Sequence, residues 1–283
     1  MSKLLSAGFH RLIKSKMYIS LLCFSILFGA YAGNYTNTNF GFEEVFFYVM
    51  FTVSFVQISL NLGTEFSQGG MRTKIVMGYR RSTVFWSEMI ISVLSSMIMV
   101  LLALFMFLVF SAHWYSKLTA GENIILITVF ILFNLAFAAV CTSVCFLVAS
   151  RPAFMASANI LLLVGVFLAL MLTEKSFSRP QYLHDVVIDD NGYIVEDRKY
   201  ENPDYISEDS IRYNVFDTAI RLYPPAQANL LCDGMGIVWY EKMHEETREY
   251  NFSELVKLPP YSLATITLFS AAGWLSFRKR NLR

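Results

Sequence analysis

The sequence predicts an all-α polytopic membrane protein, and three observations carry that expectation. Hydrophobic residues make up 55% of the chain and charged residues only 16%, whereas soluble domains carry about 25% charged residues. Six separate stretches reach the roughly 20 apolar residues that a helix needs to cross a hydrocarbon core about 30 Å thick. The formal charge of +1 hides a segregation: residues 174–257 hold 17 acidic against nine basic side chains, a net of −8, and the remainder holds 14 against five, a net of +9. This balance argues against a soluble enzyme, against a nucleic-acid binder with a basic face and against a disordered chain. Four cysteines, three of them inside apolar runs, provide no disulfide framework.

The elements follow in order. In residues 1–16, Leu4, Leu5, Phe9, Leu12 and Ile13 recur at helical spacing with His10, Arg11 and Lys14 between them, which predicts an amphipathic helix lying at the membrane interface. The first span is expected at 17–33. A signal peptide is the competing reading, since Lys3, Arg11, Lys14 and Lys16 precede an apolar core. Tyr31 and Asn34, however, interrupt the small-residue stretch Ala30–Gly33 that a cleavage site would need. The second span, 45–63, is diluted by Gln57, Ser59 and Asn61. The third, 84–112, and the fourth, 123–149, exceed the required length, which predicts tilt or extension into the interface. The fifth is 154–173. The sixth is 258–277, with Pro259 and Pro260 expected in its first turn, where their missing donors cost little.

Short loops rich in Lys and Arg stay cytoplasmic. The N-terminal segment, the loop at 64–83 (Arg72, Lys74, Arg80, Arg81), the connection at 150–153 (Arg151) and the tail at 278–283 all meet that description, whereas the loops at 34–44 and 113–122 share a single Lys117. Six spans then place both termini inside and residues 174–257 outside, as a small mixed α/β extracellular domain between the fifth and sixth helices. Within it, residues 186–197 predict a β-hairpin turning at Asn191-Gly192, residues 235–256 a helical pattern, and Pro224-Pro225 a break between the two.

No nucleotide-binding or catalytic constellation stands out. There is no Gly-Lys pair for a P-loop, and His244-Glu245 lacks the second histidine of a zinc protease. The acidic turn at Asp189-Asp190 reads as a turn rather than a calcium loop. Cys141 and Cys145 lie one turn apart without further ligands and read as packing residues, so neither a bound cofactor nor a metal is expected. Polar residues inside spans are the better candidates, because they are costly in hydrocarbon: Gln57, Asn61, Glu88, Asn134 and Asn159. They would line a substrate path or hold helices together by hydrogen bonds, and Glu88 is placed to pair with Arg80 or Arg81. Ser92, Ser95 and Ser96 mark a packing seam.

The segment EFSQGGMRTKIVMGYRRSTVFWSE, 65–88, resembles the intracellular coupling segment of ABC-2 type transporter permeases, through Glu65, Gly69, Gly70, Arg72, Lys74, Gly78 and Arg81, with Arg80 beside them. The N-terminal elbow helix, the six spans, the large segment before the last span and the terminal stretch from Gly273 to Arg280 resemble the same family. Pro224 and Gln227 match the P-x-x-Q stretch of its peptide and lantibiotic exporters. The acidic ectodomain is longer than in minimal members. The resemblance implies a multi-pass permease subunit in a bacterial plasma membrane, not itself an enzyme. It would pair with a second copy or homologue and with ABC ATPase subunits that carry ATP and magnesium, and would export a peptide or amphipathic cargo. A membrane-anchored sensor or immunity-type protein, binding its ligand through 174–257, is the alternative.

Overall fold

The computed structural model describes residues 1–36, 42–111, 120–148, 182–188, 194–201, 211–223, 227 and 245–279. It is built mainly of helices: α1 (Ser2–Lys14), α2 (Lys16–Thr36), α3 (Phe42–Ser67), α4 (Gly70–Val76), α5 (Arg81–Phe110), α6 (Ala120–Val148), α7 (Ile211–Leu222) and α8 (Glu245–Lys279). Two strands, β1 (Tyr182–Ile188) and β2 (Ile194–Glu201), pair antiparallel with an irregularity between Val187 and Ile188. They occupy the expected hairpin region, and the Asn191-Gly192 turn lies outside the described residues.

Four helices are long and apolar enough to cross a membrane: Lys16–Tyr35, Val45–Ser67, Arg81–Phe110 and Ile124–Leu147. They mark the chain as a membrane protein and match the first four expected spans. The fifth expected span lies outside the described residues. The sixth is part of α8 but is not among the four apolar helices. It also differs in where its prolines sit: Pro259 and Pro260 are inside α8, not in its first turn, because the helix already starts at Glu245. Each proline withholds a backbone donor from the carbonyl one turn earlier. The expected boundary between an ectodomain at 257 and a span at 258 therefore falls within one continuous helix.

The core is aromatic. Phe46 stacks on Phe107 at 4.6 Å between ring centroids, Phe51 meets Phe133 edge-on at 4.5 Å, and Phe47 meets Phe130 at 5.1 Å, tying α3 to α5 and α6. Offset and edge-on ring pairs contribute about 0.5–1.5 kcal/mol beyond their area. Cys141 and Cys145 are buried in the same core. The outer face of α5 carries exposed Leu94, Ile98, Leu101, Phe105 and Val109, a stripe at three- and four-residue steps that suits lipid and not water.

The backbones of α2 and α5 approach closely. A Cβ added at Gly29 would stand 2.3 Å from the Ala103 carbonyl oxygen, and one added at Gly33 2.3 Å from that of Phe107. Gly29 and Gly33 form a Gly-x-x-x-Gly pair, the spacing that lets two membrane helices touch backbone to backbone. The pair is visible in the sequence, where Gly33 also ends the small-residue stretch Ala30–Gly33.

A buried charge cluster beneath a glycine-flanked helix

The segment 65–88 folds as a short helix set between two sharp turns. α3 runs to Ser67, so the first residues of the expected 64–83 loop complete its last turn. Gly69 then adopts φ 72° and Gly78 φ 91°, the two positive-φ residues among those described. Both lie in the left-handed region where a side chain is strained, and they fold the chain sharply on either side of the seven-residue α4. The Thr73 hydroxyl donates to the Gly69 carbonyl at 3.0 Å, alongside the Thr73 backbone N–H at 2.9 Å.

α4 is amphipathic in a specific sense. Met71 is fully buried and Ile75 packs on the core, while Arg72, Val76 and Met77 face outward, Val76 at 78% and Met77 at 69% exposure. Lys74 lies on the inward side between Met71 and Ile75. Its Nζ donates to Glu65 Oε2 at 2.6 Å and to Glu88 Oε1 at 2.5 Å. Arg11 of α1 pairs with the other Glu65 oxygen. Glu65 and Glu88 are 3% and 1% exposed, and Glu88 Oε2 is buried without a hydrogen-bond partner among the described residues. Two cations and two carboxylates thus join α1, α3, α4 and α5 at one point. Away from water such attractions are strong, but they must offset desolvation of the two carboxylates and Lys74, whereas the Arg11 side chain keeps 47% exposure. Their larger consequence is that none of the four can be lost alone without penalty.

One expectation changes here: Glu88 pairs with Lys74, not with Arg80 or Arg81, and Lys74 turns inward. The reason is geometric: Lys74 shares a helix face with Met71 and Ile75, and apolar burial of those two carries it under the helix. Of the other bases, Arg72 and Arg80 are exposed, and Arg81 donates from Nη1 to the Arg278 carbonyl at 3.0 Å. That bond satisfies one of the end carbonyls of α8 and ties the last helix to the start of α5.

The glycines of this segment carry separable roles. A Cβ at Gly70 would come within 2.5 Å of Glu65 Oε2, whereas one at Gly69 or Gly78 meets nothing within 4 Å. Gly78→Ala should therefore cost about 1 kcal/mol through backbone strain alone. Gly70→Ala should cost more, since the carboxylate it strikes is pinned by Arg11 and Lys74. Thermal denaturation of the two purified variants in detergent checks the order, and equal midpoints would contradict it.

The polar residues expected inside spans fall in different places. Gln57 donates from Nε2 to Ser95 Oγ at 2.9 Å, joining α3 to α5. Asn61 lies one turn further along α3. Asn134 is buried and donates back to the Phe130 carbonyl of its own helix at 2.8 Å. Asn159 lies outside the described residues. Among the described residues, Gln57 and Asn61 share a small cavity where α1 turns into α2. Arg11 and Ser95 were not singled out by sequence reasoning: Arg11 was counted for topology and Ser95 for packing, and partners far along the chain give them their roles.

A second polar knot holds α7 against α8. Gln227 is buried and donates to the Arg221 carbonyl, while Ser262 donates to Gln227 Oε1 at 2.9 Å and Thr265 to the Leu222 carbonyl at 2.9 Å. Arg221 pairs with Asp217 at 2.7 Å and lies over the Tyr261 ring. Burial raises the Tyr223 hydroxyl above its usual pKa. Pro224 lies outside the described residues. No protein-family model and no curated protein matches the chain.

Proposed function

We propose that the chain is the permease subunit of an ABC transporter of the ABC-2 type, exporting a peptide or amphipathic molecule with ATP and magnesium held by separate ATPase subunits. The observation that carries this reading is α4, a seven-residue helix set between two left-handed glycines. It has a cation locked beneath it and Arg72, Val76 and Met77 facing outward. Such a knob offers a partner groove two apolar side chains and a positive charge, and the charge sets orientation more than affinity. The clamp beneath it reaches α1, α3 and α5, so a push on α4 is delivered to two apolar helices at once.

In this reading both termini and α4 lie in the cytoplasm of a bacterial cell and residues 174–257 lie outside. A second copy or homologue completes the permease, and six spans, including 154–173 and 258–277, cross the plasma membrane. Lipid surrounds the outer faces, and Gln57 and Asn61 belong to the polar side of α3. The acidic ectodomain favours cationic cargo by long-range attraction.

The test is association with an ATPase. Arg72→Glu reverses an exposed charge that touches no part of the buried cluster, so folding should be unaffected. Recovery of the ATPase with the tagged chain from its native membranes should fall by about tenfold, equivalent to about 1.4 kcal/mol. Unchanged recovery with full ATPase activity would remove the coupling assignment. An ectodomain ligand bound tightly by a chain with no ATPase attached would instead support the sensor reading.

A further inference from the structure

We infer that the cavity at the α1–α2 turn is a phospholipid site, seating the glycerol-ester region of a lipid with an anionic headgroup. This inference is independent of the transporter reading, because it needs only that α2, α3 and α5 lie in a bilayer.

The cavity has a volume of about 50 Å³ and is lined by Leu12 and Ser15 at the α1–α2 turn, by Met17, Tyr18 and Leu21 of α2, and by Gln57, Leu60, Asn61 and Thr64 of α3. Two polar atoms on its wall are buried without hydrogen-bond partners among the described residues: the acceptor Gln57 Oε1 and the donor Asn61 Nδ2. Gln57 is 3% exposed, and its amide orientation is fixed because Nε2 already donates to Ser95. Buried groups of this kind cost about 1–3 kcal/mol each when left unmatched, so a ligand that supplies an acceptor to Asn61 Nδ2 gains by entering.

Depth and charge identify the ligand. Tyr18 lies two residues into α2, and its hydroxyl donates at 3.3 Å to the carbonyl of Ser95, the residue whose side chain receives Gln57. Gln57 is therefore level with the first turn of the membrane helix, at the depth of a lipid's ester groups and not of its acyl chain ends. Above that level α1 has no acidic residue in its first turn and ends in Arg11 and Lys14, and Lys16 follows. Below it Met17, Leu21 and Leu60 offer an apolar wall. An ester carbonyl fits Asn61 Nδ2, one turn shallower than Gln57, and beside the cavity the end of α1 and the start of α2 carry Lys14 and Lys16, which suit a phosphate and an anionic headgroup. Phosphatidylglycerol meets both requirements. The cavity itself takes the polar groups, and the chains lie along its mouth.

The experiment uses the full chain in nanodiscs containing phosphatidylglycerol with a photoreactive group close to the glycerol. Crosslinks should concentrate in peptides covering 12–21 and 57–64, and unlabelled phosphatidylglycerol should displace them at a concentration about tenfold lower than phosphatidylcholine does. Asn61→Leu should weaken crosslinking at these peptides for both lipids, and the pair Lys14→Ala and Lys16→Ala should abolish the preference for phosphatidylglycerol. The pair lies on exposed positions and keeps the test open if Asn61→Leu fails to fold. Crosslinks spread evenly around the lipid-facing helices, or equal displacement by both lipids, would overturn the site.

Discussion

Lys74→Met is expected to destabilise the α4 region by about 3 kcal/mol, the scale seen when one partner of a buried ion pair is removed. The loss is uneven between its two carboxylates. Glu65 keeps Arg11, but Glu88 is 1% exposed and its only ion pair among the described residues is with Lys74. Its charge then remains in a dry site unless it takes up a proton or α5 shifts. Methionine has nearly the length of lysine, so packing beside Met71 and Ile75 is retained and the electrostatic loss is isolated. Trypsin cleavage after Arg72 reports the result, because that bond is protected only while α4 stays folded. When opening is fast relative to cleavage, the rate follows the open population, and about 3 kcal/mol corresponds to a rate roughly a hundredfold higher. The double variant Lys74→Met with Glu88→Gln removes the stranded charge and should recover most of that protection, since neutral replacement of a whole buried pair is often tolerated. A double-mutant cycle therefore gives a large coupling between the two positions. Unchanged cleavage in Lys74→Met, or a double variant no better than the single, would show that the cluster does not hold α4 in place.

Much of this arrangement can be read from the chain and some of it cannot, for identifiable reasons. The four apolar helices and amphipathic α1 follow from local pattern, because burial in lipid and along an interface is decided residue by residue. The two turns around α4 are also legible, since Gly69 and Gly78 bracket a basic stretch. The direction of Lys74 is not. Arg72, Lys74, Arg80 and Arg81 look alike in a list of charges, and only convergence of Glu65 from α3 and Glu88 from α5 separates the inward cation from the outward ones. Glu88 was assigned to its nearest bases in the chain, and a helix turned back at Gly78 supplied a different one. Pro259 and Pro260 misled for a related reason. Proline is well suited to a first turn, but nothing local to the pair reveals a helix that begins at Glu245. Gln57 and Asn61 are one turn apart on α3 and line one cavity, while Asn134, with the same composition signal, donates to the Phe130 carbonyl of its own helix.

Gly29→Leu and Gly33→Leu are expected to disrupt the packing of α2 on α5 and with it the fold. Lipid is as apolar as the helices it surrounds, so membrane helices gain little from simple burial and depend on close contact. At Gly29 and Gly33 that contact is with backbone. The atoms that a Cβ would strike are the carbonyl oxygens of Ala103 and Phe107, each at 2.3 Å, followed by their own carbonyl carbons at about the distance of 3 Å. A side chain in the way would rotate aside; a helix backbone can yield only if the whole helix retreats. Even Gly29→Ala should cost about 1–3 kcal/mol, the usual scale of overpacking, and leucine at either position should separate the pair. The damage would spread, because α2 also places Phe28 against Phe46, and Phe46 stacks on Phe107. The two glycines lie one turn apart along one contact, so substituting both should cost less than the sum of the single changes once the first has already pushed the helices apart. Leu27 is 70% exposed on the opposite side of α2, and Leu27→Ala is the control: it should shift stability by about 0.5 kcal/mol or less. Thermal denaturation and monodispersity in detergent compare the set. If Gly33→Leu matched the control in both, the close approach of α2 and α5 would not be what holds that side of the bundle together.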